Sequence, residues 1–136
     1  SPALATTMLT LDVDQLTHNS SEIVLADVTS VEVLADQPGV PLTKLTVDVA
    51  ESLKGSLSGS VEILSPGFPG APAFASGEQL VLFLHSADGV HVLTGFQQGR
   101  FGVRADGSLD RAIPGAQRTA GENTLDELVR AIQAAN

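Results

Sequence analysis

Histidine, serine and carboxylate are the side chains of this chain able to do acid–base, nucleophilic or metal chemistry. Their spacing decides which of these is open to it. The histidines are His18, His85 and His91. His85 and His91 bracket Ser86-Ala87-Asp88-Gly89, which reads as a three-residue hairpin loop with Gly89 in the left-handed position. In that register the two imidazoles face each other across paired strands, where they could supply two metal ligands. Asp88 is the one nearby third donor, and two rim histidines on a wet hairpin explain the same residues more simply. The acid pairs Asp12/Asp14 and Asp106/Asp110 offer the oxygen donors that calcium prefers. Asp12-Val13-Asp14 lacks the next acid, the central glycine and the closing glutamate of a calcium loop. It suits a helix start, where carboxylates complement the helix dipole. No metal and no cofactor is expected.

Nucleophilic chemistry fares no better. The chain has no cysteine, which excludes disulfides, thiolate catalysis and cysteine-ligated zinc together. Serine is plentiful, but Gly55-Ser56-Leu57-Ser58-Gly59 reads as a turn whose hydroxyls bond local backbone. A Ser-His-Asp triad would have to be assembled across loops, and phosphate-cradling glycine motifs are absent. No catalytic residue is assigned. Two segments instead read as recognition elements. Residues 65–77 carry Pro66, Gly67, Pro69, Gly70 and Pro72, which cannot sustain a strand ladder. They predict a loop whose prolines lower the cost of ordering it for a partner, with Phe68, Pro69 and Phe74 as contact residues. Gln97, Gln98 and Arg100 form the second candidate, a polar edge between Phe96 and Phe101. The competing reading there is a β-bulge with Gly99 at positive φ and both rings in the core.

The elements that must position these groups are mainly strands. Residues 23–34 alternate in their second half, with Val28, Ser30 and Glu32 on one side and Thr29, Val31 and Val33 on the other. Turn residues fill 35–39. Leu45, Val47 and Val49 line one face of a second long strand, and Val61 and Ile63 mark a third. Leu80-Val81-Leu82-Phe83-Leu84 is apolar on both faces and predicts a strand covered on both sides. Strands over 90–96 and 100–104 follow. Leu125, Leu128, Val129 and Ile132 fall at i, i+3, i+4 and i+7, the stripe of an amphipathic helix over 123–135, with Thr124 and Glu127 placed as a capping box. A short helix is expected over 12–18. Five or six strands with a break after the third predict a mainly β protein, an OB-like antiparallel barrel with a C-terminal α-helix and a short N-terminal helix. A β-sandwich is the alternative.

With 136 residues the chain is one domain's worth, with 1–10 read as a flexible N-terminus and 105–122 as a connector. A net charge of −9 without a basic run argues against nucleic-acid binding, because phosphate recognition requires cations. No apolar run reaches the 18 to 20 or so residues of a transmembrane segment. Residues 1–7 lack the basic region of an intact signal peptide and would suit the start of a mature exported chain.

Three blocks carry a resemblance. They are Val24-Leu25-Ala26-Asp27-Val28, Leu45-Thr46-Val47-Asp48-Val49 with Glu51-Ser52-Leu53-Lys54-Gly55, and Phe74-Ala75-Ser76-Gly77-Glu78 with Leu80-Val81-Leu82-Phe83-Leu84 and 94–103. In this order, over 23–103, they resemble a family of exported bacterial proteins of unknown function. The resemblance implies an exported OB-like barrel (periplasmic, cell-surface or secreted) and carries over no catalytic residue. Asp27 stands where that pattern has glycine, which would permit a bulge. The function expected is a non-catalytic binding module whose partner is another protein or a cell-envelope macromolecule. The alternatives are an inhibitor of an extracellular protease and a hydrolase with a site built across loops.

Overall fold

A computed structural model describes residues 11–37, 40–66, 73–111 and 123–135. Residues 1–10, Phe68 and Pro69, and 112–122 of the connector lie outside them. The period-two segments form β1 (Glu22–Gln37), β2 (Val40–Lys54), β3 (Gly59–Pro66), β4 (Gln79–Ala87), β5 (Val90–Leu93), β6 (Arg100–Val103) and β7 (Leu109–Arg111). Helices α1 (Val13–His18) and α2 (Leu125–Ala135) flank them in sequence. β1 pairs with β2 on one edge and with β4 on the other, which closes a five-stranded barrel in the order β1-β2-β3-β5-β4. The OB-like barrel is present, and its closure excludes the sandwich. It is mixed rather than antiparallel, because β3 and β5 run parallel at Ile63↔His91 and Leu64↔Val92. The cause is topological: β4 is not beside β3, so the β4–β5 hairpin brings β5 back along β3 in the same direction.

Several local readings need correction. β3 continues through Ser65 and Pro66, with Pro66 opposite Leu42 at the strand end, where a missing donor costs little. β1 and β2 stay paired out to Gln37↔Val40, so Ala35, Asp36 and Gln37 belong to the ladder and not to a turn. A register shift between Val28 and Ser30 makes Thr29 an extra residue, and Val28 and Val31 join one interior cluster instead of opposite faces. Ala87 pairs with Val90, so the β4–β5 loop has two residues, not three. Asp88 and Gly89 both have positive φ, +52° and +78°, the combination a tight right-twisting hairpin requires. The shifted register pairs His85 with Val92 and His91 with Ser86, so the two imidazoles point to opposite faces. Residues 96–99 form a 3₁₀ turn, not a bulge, and the left-handed residue is Gly95 at +66° rather than Gly99. The connector contains β7, which pairs with β6.

The barrel interior is filled by Val24, Ala26, Val28, Leu45, Val47, Ile63, Leu80, Leu82, Leu84 and Leu93. A second core lies outside the β1–β4 wall, where Ile23, Val81 and Phe83 meet Phe101, Leu109 and the helices through Val13, Leu16, Leu128 and Ile132. Phe83 and Phe101 pack with ring centroids 5.7 Å apart. β4 is thus covered on both faces, as its composition required. In α1, the Asp12 carboxylate accepts from Gln15 N at 2.8 Å and the Gln15 side chain accepts from Asp12 N at 3.0 Å, a complete capping box. Lys54 Nζ donates to the Thr17 carbonyl at 2.8 Å and ties the end of α1 to β2. The Glu22 carboxylate accepts from Ser56 N and Leu57 N, and it lies so close over Gly55 that any Cβ there would collide with it.

The turn before β7 seats α2. The Asp106 carboxylate accepts from Ser108 N at 2.9 Å and Ser108 Oγ at 2.6 Å, and these bonds hold its pKa below the ordinary carboxylate value. Leu109 N then donates to Asn123 O, and Leu125 N to Gly107 O. Leu128 and Ile132 are fully buried, and Thr124 Oγ1 accepts from Glu127 N at 3.2 Å. Leu128→Ala should therefore cost about 2–5 kcal/mol in urea unfolding, the range for removing a buried leucine side chain. A loss under about half a kcal/mol would mean that α2 is not docked.

Candidate functional site

After Leu93 the chain leaves the edge of β4, and it rejoins at Arg100, which pairs with Leu82. Residues 94–99 make the excursion, turning at Gly95 and passing so close to β4 that a Cβ on Gly99 would lie 2.7 Å from the Thr94 carbonyl and 3.0 Å from that of Phe83. The detour places two long polar side chains inside one end of the barrel. Arg100 Nη1 donates to Gln97 Oε1 at 3.1 Å, and Gln97 Nε2 donates to Ser65 Oγ at 3.4 Å. Arg100 Nη2 donates to the Ala73 carbonyl at 3.0 Å and lies 3.3 Å from Glu78 Oε2. The guanidinium also sits 3.9 Å over the centre of the Phe74 ring.

The Arg100 side chain is only 7 % exposed and that of Glu78 33 %. Burial pulls the guanidinium pKa down and Glu78 opposes it; an arginine keeps its charge regardless. The cation is thus neutralised and hydrogen-bonded, the condition for burying a charge without a large penalty. Phe74, Gln97 and Arg100 are brought together by this network. Phe74 is 8 % exposed and belongs to the barrel core, and Gln97 and Arg100 are buried. Gln98, also buried, turns the other way and accepts from Leu11 N at 2.7 Å. Phe68 and Pro69 fall in the undescribed segment that joins the ends of this assembly.

The network clamps 73–78 across the barrel end. Gly77 N donates to Val28 O, Val28 N to Glu78 O, and Ser76 Oγ to Thr29 O. These contacts fix the base of the β1–β2 hairpin. β4 pairs with β1 only as far as Asp27, so from Ser30 outward the second edge of β1 faces no strand among the described residues. Val33 is 64 % and Leu34 45 % exposed on this arm, two of the three large apolar side chains exposed among the described residues. Sequence patterning alone did not single them out. The usable signal was length: β1 and β2 hold 16 and 15 residues where β3 and β4 hold 8 and 9, so the longer pair must overhang.

Comparison with family models, with curated proteins and with solved structures finds no match to this chain. Several other polar groups have local partners. Ser20 and Thr94 share a hydroxyl bond of 2.9 Å, and Thr94 Oγ1 lies 3.3 Å from His85 Nδ1. Ser20 is 3 % exposed, and the imidazole contacts the threonine. Asp12 is spent on its cap and Asp106 on its turn, and Asp110 pairs with Arg104 at 3.3 Å. His91 Nδ1 is buried without a hydrogen-bond partner among the described residues. No three histidine, aspartate or glutamate side chains converge among the described residues.

The clamp makes a test possible. Glu78→Gln leaves the buried guanidinium short of its counter-charge and should cost about 2–4 kcal/mol in urea unfolding, somewhat below the range of about 3–5 kcal/mol for a fully buried pair because Glu78 is partly solvated. Glu32→Gln, which removes an exposed partner of Lys44, should leave the unfolding midpoint unmoved. Equal effects would show that Arg100 is not held as an internal ion pair.

Proposed function

We propose that this chain is a non-catalytic, exported binding module that engages another protein or cell-envelope macromolecule through the arm formed by the outer halves of β1 and β2. The observation that supports this reading is the exposure of Val33 and Leu34 on a strand whose outer edge, from Ser30 outward, meets no strand among the described residues. Large apolar side chains beside unpaired backbone are costly to leave in water and are the usual raw material of an interface. The barrel and its clamp give the arm a rigid base, and a preorganised surface loses less freedom when it binds. Export rests on the resemblance carried by 23–103. Pro66, at the end of β3, and Ser76 both lie beside the arm, at Leu42↔Pro66 and at Thr29, and Phe68 and Pro69 fall outside the described residues.

Site-specific photocrosslinking tests the reading. A photoreactive residue in place of Leu34 should yield a defined adduct in extracts of the source cells, and the same group in place of exposed Gln133 on α2 should not. Leu34→Asp should abolish competition for that adduct without shifting the melting temperature. Absence of an adduct at position 34, or equal adducts at both positions, overturns the proposal.

A further inference from the structure

Resting on that reading, we infer that the outer edge of β1 over residues 30–34 is a strand-addition site for an extended polypeptide segment in which basic and β-branched residues alternate. The first argument is the bonding the edge demands. Alternate residues of an antiparallel strand turn N–H and C=O away from their partner, and beyond Thr29 these groups meet no strand among the described residues. A row of such groups at strand spacing is satisfied in full only by another extended backbone. Residues 30–33 keep a regular register with β2, through Ser30↔Thr46, Val31↔Leu45, Glu32↔Lys44 and Val33↔Thr43. Register shifts on either side bound this stretch, which defines a short docking template rather than an open-ended edge.

Side chains then set the sequence of the guest. Asp27, Asp48, Glu32 and Glu62 lie on the solvent face of the three-stranded wall, with Asp27 directly opposite Asp48. Lys44 bridges Glu32 at 3.3 Å and Glu62 at 3.6 Å, and it is the one base among these four acids. An incoming strand presents alternate side chains to this face, and cations there relieve the like-charge repulsion. Its other side chains fall beside Val31 and Val33, where β-branched residues pack well. A second copy of the chain is a poor guest. The two-fold register pairing 30–34 with itself sets Glu32 against Glu32, and each chain carries a net charge of −9.

The probe is a capped twelve-residue peptide of alternating lysine and valine at micromolar concentration, added to the isotope-labelled 136-residue chain. Saturating peptide should slow hydrogen exchange at least tenfold at the outward-facing amides of 30–34. A glutamate–valine peptide should bind at least tenfold more weakly, and Glu32→Lys should weaken the lysine peptide at least threefold. N-methylation of one set of alternate peptide residues should abolish binding and of the other set should spare it, because only one set bonds the edge. Equal binding of acidic and basic peptides, or equal effects of the two N-methylated sets, overturns the inference. Contact at Val33 and Leu34 without slowed exchange overturns strand addition and leaves the arm as a binding surface. Contact with no arm residue overturns both.

Discussion

The seam between β1 and β4 governs the rest of the molecule. Six residue pairs, from Glu22↔Leu84 to Asp27↔Gln79, convert a run of strands into a closed barrel. Closure gives β4 an inside and an outside, and both are apolar. Leu80, Leu82 and Leu84 enter the barrel, and Val81 and Phe83 form the floor on which the helices and β6 are laid. Each fully buried leucine or phenylalanine contributes about 1.5–3 kcal/mol, so the two cores share one strand as their main source of stability. The seam also has a last pair. Past Asp27 the sheet can continue only on the β2 side, and the overhanging arm follows directly from that ending.

An end left open by strand closure must be filled, and this protein fills it with an ion rather than with another aliphatic residue. Arg100 reaches a carboxylate, a backbone carbonyl, an amide and an aromatic face at once. No apolar side chain could tie residues 73–78 to the turn at 96–99 at fixed geometry. The planar guanidinium can, since its donors fan out in one plane while its flat face stacks. The cost is desolvation, and it is met by complete pairing. A cluster of this kind contributes positional definition more than net stability, and the position it defines is that of 73–78 against the root of the arm.

Much of this was legible in the sequence because hydrophobic period reports burial directly. The two-sided run at 80–84, the stripe from Leu125 to Ile132 and the cap at Thr124 all follow from local pattern. Readings failed where one residue changes parity. The bulge at Thr29 and the two-residue loop at Asp88-Gly89 each move every later side chain to the other face, and period alone does not record such an insertion. Asp27 illustrates the same point: the register shifts fall on either side of it, and it pairs regularly with Asp48 and Gln79. Gln97 and Arg100 looked like surface groups because charge and amides usually are. Only the turn at Gly95 carries them inside, and their partners come from residues 22 to 32 positions away as well as from the same turn.

The arm poses a problem that the remaining residues bear upon. An exposed, β-branched edge is a template for unwanted pairing, and native proteins protect such edges with charge and bulges. Both devices are present: Glu32 stands at the middle of the exposed stretch, and the shifts at Val28/Ser30 and Val33/Ala35 restrict the regular segment to four residues. Self-assembling strands need about six or seven residues of uninterrupted high β-propensity and low charge. The edge is therefore too short and too acidic to polymerise, yet among the described residues no strand covers its outward hydrogen-bonding groups, and Val33 and Leu34 are exposed beside them. Protection against the wrong strand has stopped short of closing the edge, which is the expected compromise where one particular strand is to be admitted.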